Sequence, residues 1–253
     1  MSHATMESTD SKRSVLGRAF DILECFSDGE PEQTIGSLCA RTDLPPATVH
    51  RMLANLAEWG AVERTSRGRY RLGMRLWRLG WGVPSARTLK DIARPVLVDL
   101  HAATREVTLL ASRDRDQVVV ADVIAGNAAA RRNRLPRQVP LVGSAPGSVF
   151  LANIEPEEAE QLVTAAGRRV DFHLWQELAE IRRTGVAVST GGRPGASASW
   201  VAAPVFDATG AIRSTISVVV PAGALNNVAL ARAVGSAARA VTQGLAFAMP
   251  TAS

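Results

Sequence analysis

The 253-residue sequence has little lysine, cysteine, histidine or tyrosine, and no long apolar run. No segment approaches the ~18 consecutive apolar residues that a membrane-spanning helix needs. The first 13 residues are polar and lack the apolar core of a signal peptide, so they read as a disordered lead-in. The two cysteines, Cys25 and Cys39, lack CxxC spacing and fall in amphipathic stretches. They fit reduced core residues of a cytoplasmic protein rather than a disulfide framework. His3, His50, His101 and His173 are scattered, which excludes a recognisable metal cluster, and no motif calls for a cofactor.

Of 29 basic residues only Lys12 and Lys90 are lysine, and the rest are arginine. Their distribution says more than their number. Residues 1–44 carry a net charge of −4, residues 45–84 a net +5, and residues 85–253 a net +4. A forty-residue block thus holds a positive excess equal to that of the whole chain, which points to a polyanionic partner.

Ser14 precedes an apolar stripe at helical spacing, from Val15 and Leu16 through Phe20, Ile22, Leu23 and Phe26, which ends near Asp28-Gly29. Pro31 and the polar residues after it form a short loop. Thr34 is a good cap for a second, short helix with Ile35, Leu38 and Cys39 inward. Pro45-Pro46 opens a third helix, with Val49, Leu53 and Leu56 inward and Met52 and Trp59 beside them, which stops at Gly60. Two helices joined by a tight turn, the second showing Thr48, His50, Arg51 and Asn55 on its other face, form the helix-turn-helix pattern. Arginine pairs with guanine and asparagine with adenine in the major groove, so Arg51 and Asn55 are the expected base readers. Thr48, near the positive helix end, suits a phosphate.

Residues 61–72 then read as a β-hairpin with Gly68 at its tip. Val62, Tyr70 and Leu72 can face inward, leaving Arg64, Arg67, Arg69 and Arg71 outward. A short basic hairpin behind a recognition helix is the wing of a winged helix-turn-helix, which grips the double-stranded DNA backbone or minor groove.

Leu44-Pro45-Pro46-Ala47-Thr48-Val49-His50-Arg51-Met52-Leu53, Gly68-Arg69-Tyr70-Arg71-Leu72-Gly73, Ala93-Arg94-Pro95 and Val201-Ala202-Ala203-Pro204-Val205-Phe206-Asp207 resemble the IclR family of bacterial transcriptional regulators over roughly residues 14–246. The resemblance implies a DNA-binding domain at 14–73, a linker helix and hinge at 74–94, and a GAF-like effector-binding domain at 95–248. It further implies a homodimer or homotetramer whose operator binding responds to a small-molecule effector. The effector site implied by the family lies near Ala128, Arg131, Val139, Ala145-Pro146-Gly147, Trp200, Ser217 and Val219. Several polar positions of the family pattern are replaced here: Val142-Gly143 stands for His-Ala, and Ser148 for lysine. With Arg131 and Trp200 both facing the site, it would suit an apolar or aromatic body carrying a carboxylate.

Within the second half, Val107–Ser112 and Gln117–Ile124 form one strand pair, and Val201–Phe206 and Ile212–Val220 another around Asp207-Ala208-Thr209-Gly210. Helices are expected at 156–166, through Leu174–Ile181, and after Asn226 or Asn227. Hairpin-paired strands with helices between and after them predict an α+β fold with an antiparallel sheet. Gly80, Gly82 and Pro84 interrupt the linker, Pro95 is expected to kink or restart it, and Trp77, Trp81 and Leu89 suggest either a dimer surface or packing of the linker against its own domains. Gly143–Ser148 is glycine-rich but no lysine follows at phosphate-loop spacing, and no serine has a histidine–acid pair. No catalytic residue is therefore assigned. The competing readings are a constitutive DNA-binding protein whose second domain only oligomerises, and a small-molecule enzyme.

Overall fold

The computed structural model describes residues 14–26, 30–80, 84–126, 136–190, 198–221 and 228–248. The chain divides into two compact units, Met1–Val83 and Pro84–Ser253, a boundary that falls inside the expected linker.

The first unit is built from α1 (Val15–Glu24), α2 (Ile35–Thr42), α3 (Pro46–Glu58), the strands β1 (Val62–Arg64) and β2 (Tyr70–Leu72), and α4 (Met74–Gly80). Ser14 caps α1 by accepting from the Gly17 N–H at 3.0 Å. Thr34 and Ser37 form a reciprocal capping box at the start of α2. Asp43 ends α2 in the left-handed conformation (φ 55°), and Pro45 and Pro46 start α3 within three residues. That local chemistry makes the sharp turn between the two helices. Ile22, Leu38, Val49, Leu53 and Val62 are buried together in the small core. Helix α1 ends at Glu24 with Cys25 as its cap, earlier than the apolar stripe suggests. Leu72 differs from expectation: it is exposed, whereas Val62 and Tyr70 are buried.

The second unit contains a six-stranded, wholly antiparallel sheet in the order β5-β4-β3-β8-β7-β6. Its strands are β3 (Val107–Asp114), β4 (Gln117–Ile124), β5 (Gln138–Pro140), β6 (Ala187–Thr190), β7 (Ala198–Phe206) and β8 (Ile212–Pro221). The helices are α5 (Pro84–Thr104), α6 (Ala145–Ala152), α7 (Pro156–Ala165), α8 (Phe172–Thr184) and α9 (Val228–Ala248). Helices α5 and α9 cover one face, where Leu97, Leu110, Val201, Ile216, Val218 and Val234 form one core. Helices α6, α7 and α8 cover the other, where Val107, Leu109, Val149, Phe150, Trp200 and Val219 form a second. Both faces of β7 and β8 are therefore covered by core, which explains why their apolar residues are not confined to alternate positions, with Ser199, Ser214, Thr215 and Ser217 buried among them. Each fully buried Leu, Ile or Val contributes roughly 1.5–3 kcal/mol of transfer free energy.

Helix α5 runs unbroken through Pro95. Leu89, Ala93, Leu97 and Leu100 lie along one buried stripe on both sides of the proline, so packing on the sheet outweighs the missing N–H. Leu89 is only 4% exposed and so does not belong to an exposed surface. Arg94 adds a clamp: its Nη1 donates to both carboxylate oxygens of Asp122 on β4 at 2.9 and 2.7 Å, with Lys90 Nζ at 3.8 Å. In the glycine-rich stretch after β5, Gly143 lies in a turn and Ser144 caps α6, a helix that begins at Ala145 and is buried along almost its whole length.

Candidate functional site

In the first unit, α3 buries Val49, Met52 and Leu53 and turns His50, Arg51 and Asn55 outward; Thr48 is half-buried one turn from its N-terminus. These four positions follow from helical spacing, because i, i+3 and i+4 share a face. Arg51 and Asn55, four residues apart, therefore sit one above the other on the solvent side.

The hairpin pairs Val62 with Leu72, Glu63 with Arg71 and Arg64 with Tyr70. Its turn is closed by Gly68 at φ 71°, whose N–H donates to the Thr65 carbonyl at 3.0 Å. A positive φ at this position suits glycine, which has no Cβ to clash. The register decides which arginines are committed elsewhere. Arg71 donates through Nε and Nη2 to Oε2 of its cross-strand neighbour Glu63 at 3.0 and 2.8 Å. The hydrogen bond from Arg71, then its charge, holds the Glu63 carboxyl below the usual carboxylate range. Arg75 stacks its guanidinium 5.0 Å from the Trp59 ring centroid and donates to the Trp59 carbonyl. Arg64, Arg67 and Arg69 are exposed and form no ion pair among the described residues. Of the four hairpin arginines, which look alike in sequence, one is thus committed to an ion pair and three keep a positive charge that no ion pair among the described residues neutralises. Sequence spacing could not make this division, because it depends on strand pairing.

In the second unit, Val139 on β5, Ala145 at the start of α6, Trp200 on β7 and Val219 on β8 are buried in one cluster. Pro146 is buried beside Ala145. Trp200 lies directly across from Val219, and Ser217 across from Ala202 on one side and Leu109 on the other. These residues come from four separate elements and meet on the same side of the sheet. Ala128 and Arg131 lie outside the described residues.

The hydroxyls of Ser217 and of Thr215, two residues earlier on the same face, are buried without a hydrogen-bond partner. Thr215 was not singled out from the sequence, although period-two alternation along β8 places it beside Ser217. The first turn of α6 has its donors occupied: the Ala145 N–H reaches Ser189 Oγ at 3.0 Å, and the Gly147 N–H reaches Ser144 Oγ at 3.1 Å. Ser189 on β6 was also missed, because its role depends on a partner 44 residues away. The face therefore offers an apolar wall, an indole and two hydroxyls. Among the described residues, no group of three or more His, Cys, Asp or Glu could hold a metal ion, and no helix is long and apolar enough to cross a membrane.

Comparison with known proteins assigns a family to both units. The model of the IclR helix-turn-helix domain matches residues 15–66, and that of the bacterial transcriptional regulator IclR C-terminal domain matches residues 83–243. The regulator KipR of Bacillus subtilis is 27% identical over 154 residues, which are 60% of this chain and 61% of that protein. The regulator BhcR of Paracoccus denitrificans is 29% identical over 91% of this chain and 87% of its own length. Among solved structures, an IclR homolog from Microbacterium hydrocarbonoxydans complexed with 4-hydroxybenzoate superposes with a TM-score of 0.77 at 27% identity, covering 92% of this chain and 99% of that one. With its two domain matches falling on the winged helix-turn-helix and on the sheet-and-helix unit, this chain belongs to the IclR family of transcriptional regulators.

Proposed function

We propose that the protein is a sequence-specific regulator that inserts α3 into the major groove of a double-stranded DNA operator. Arg51 and Asn55 read base edges, with His50 beside them, while Thr48 and the wing residues Arg64, Arg67 and Arg69 contact phosphates. The observation that carries this reading is the un-neutralised trio of wing arginines beside the outward face of α3. Each Lys or Arg that neutralises a phosphate releases counterions and steepens the salt dependence of binding. Arg67→Ala should therefore weaken binding about equally on operator and scrambled duplexes, and lower the slope of log K against log[salt] by about 1. Arg71→Ala, which removes an arginine already paired with Glu63, should change the slope less. Equal changes for the two substitutions would remove the distinction drawn here.

The effector reading is supported by the convergence of Trp200, Ser217, Val219, Val139 and Ala145 on one face, together with the 4-hydroxybenzoate held by the Microbacterium homolog. The proposed ligand is a small aromatic or apolar carboxylate, with Trp200 against its body, Ser217 as hydrogen-bond partner, and Ala128, Arg131 and Pro146 completing the site. Binding would act on the DNA-binding unit through the 74–94 linker and shift operator affinity by a coupling free energy of ~1–3 kcal/mol. A thermal-shift series with substituted benzoates should yield at least one compound that raises Tm by a few degrees at ~100 times its Kd, an effect that Trp200→Ala abolishes. No stabilising compound would favour a constitutive DNA-binding protein whose second domain only oligomerises. A homodimer or homotetramer is part of the proposal, because Val15, Leu16 and Phe20 of α1 and Met74, Trp77 and Leu79 of α4 leave large apolar side chains exposed. The same reading makes the protein cytoplasmic and without catalytic activity, in keeping with relatives that are transcriptional regulators.

A further inference from the structure

A buried glutamine in the short segment between α1 and α2 ties together three parts of the DNA-binding unit. Gln33 is 2% exposed, and an amide removed from water must find partners inside the protein. Its Nε2 donates to the Cys25 carbonyl at the end of α1 (3.3 Å) and to the Glu30 carbonyl (3.1 Å). Its Oε1 accepts from the Ser37 hydroxyl in the first turn of α2 (2.8 Å). Arg41 reinforces the first of these contacts by donating to the same Cys25 carbonyl at 2.8 Å.

The backbone of Gln33 meanwhile pairs in both directions with Tyr70 of β2. The Gln33 N–H donates to the Tyr70 carbonyl, and the Tyr70 N–H to the Gln33 carbonyl, each at 2.8 Å. One residue therefore acts as a third strand of the wing, and its side chain is anchored to the helices. Strand β1 follows α3 directly and packs on it. Strand β2, with Arg69 immediately before Tyr70, is hydrogen-bonded on its other side to Gln33. A wing held on both sides keeps its charges at a fixed offset from α3, whereas a wing held only through β1 could swing about the α3–β1 connection.

We propose that Gln33 is a positioning residue for DNA binding: its side-chain amide fixes the backbone that pairs with β2, and thereby sets Arg64, Arg67 and Arg69 against the phosphates while α3 occupies the groove. This rests on the wing contacts proposed above, which Arg67→Ala tests independently.

The test uses the full-length chain and two duplexes, one carrying the DNA that flanks its own gene and one a scrambled sequence, titrated at several salt concentrations. Gln33→Met keeps the length of the side chain and removes its hydrogen bonds. It should weaken binding about tenfold near 150 mM salt and make the salt slope shallower by about 1–2, because wing arginines no longer reach phosphates together. Combining it with Arg67→Ala should cost less than the product of the two single losses, since both act on the same contacts. Hydrogen exchange at the Tyr70 amide should accelerate in Gln33→Met, while that of the buried α3 amides stays near wild type. Ser37→Ala, which removes the partner of Oε1 together with the Ser37 half of the α2 capping box, should move the slope and the Tyr70 exchange in the same direction by a smaller amount, whereas a loss of the cap alone would speed exchange in α2 and leave the salt slope unchanged. It carries the test if Gln33→Met does not fold.

An unchanged salt slope in these variants, or losses that simply multiply with Arg67→Ala, would overturn the positioning role even if affinity falls. If Arg67→Ala itself leaves the slope unchanged, the wing contacts are wrong and the role of Gln33 falls with them. A normal Arg67→Ala effect with a silent Gln33 overturns only the latter.

Discussion

Gly147→Ala is expected to destabilise the second unit strongly, although the substitution places the best helix former in a helix. Gly147 lies in the first turn of α6, where propensity alone would favour alanine by roughly 0.5–1 kcal/mol. Packing reverses the sign. A Cβ at this position would fall on the Leu141 carbonyl group, far inside van der Waals contact. The obstructing atoms are backbone, so no rotamer change can relieve the overlap. Either α6 or the segment after β5 must shift, and both belong to the core that contains Val139, Ala145 and Trp200. Overpacking commonly costs about 1–3 kcal/mol, and an immovable obstacle belongs at or above the top of that range. For a unit of this size the loss corresponds to a Tm decrease of roughly 6–12 °C. Calorimetry on the full chain should show the transition of the second unit moving by that amount. Gly36→Ala is the control: in α2 the nearest atom to the added Cβ is Thr34 Oγ1 at 3.9 Å, an ordinary contact. It should be neutral or slightly stabilising. Equal behaviour of the two variants would refute the close approach at Leu141.

Arg51→Ala is expected to have the largest effect on DNA recognition. Arg51 is exposed on α3 and separated from Asn55 by about one helical turn, so both can meet base edges from one groove. Loss of a bidentate arginine–guanine contact costs about 1–3 kcal/mol, or roughly 5–150-fold in affinity for the correct site. Because that contact is specific, affinity for scrambled DNA should fall much less, and the ratio of the two should collapse. A wing substitution such as Arg67→Ala should do the reverse, weakening both duplexes and leaving their ratio nearly intact. Parallel titrations at one salt concentration distinguish the two roles. An equal loss on both duplexes would assign Arg51 to the phosphate backbone.

How far local sequence could be read differs between the two units. In the first, Thr34, Asp43, Pro45-Pro46 and Gly68 mark caps and turns whose chemistry acts over three or four residues, and the helices and hairpin lie where those signals put them. Long-range packing was less legible. Pro95 reads as a break yet lies inside α5, because its flanking apolar residues are held on the sheet. Gly143–Ser148 gave no sign of the helix that starts within it, because α6 is covered from all sides and carries no polar face to reveal a helical period. Leu89 and Leu72 exchange the environments that their local patterns imply.

The sequence alone determined the architecture of this protein: a helix-turn-helix with a basic wing behind an acidic first stretch, and a hairpin-built antiparallel sheet with helices. Those features are encoded by periodicity, caps and turn residues, which act between near neighbours. Only the tertiary structure decided which arginines are committed to Glu63 and Trp59, that Gln33 joins the wing to the helices, and that Trp200, Ser217 and Val219 share a face with Val139 and Ala145. The physical reason is the same in each case. Strand register and packing join residues that lie from eight to about eighty positions apart, and no local propensity reports which of them will meet.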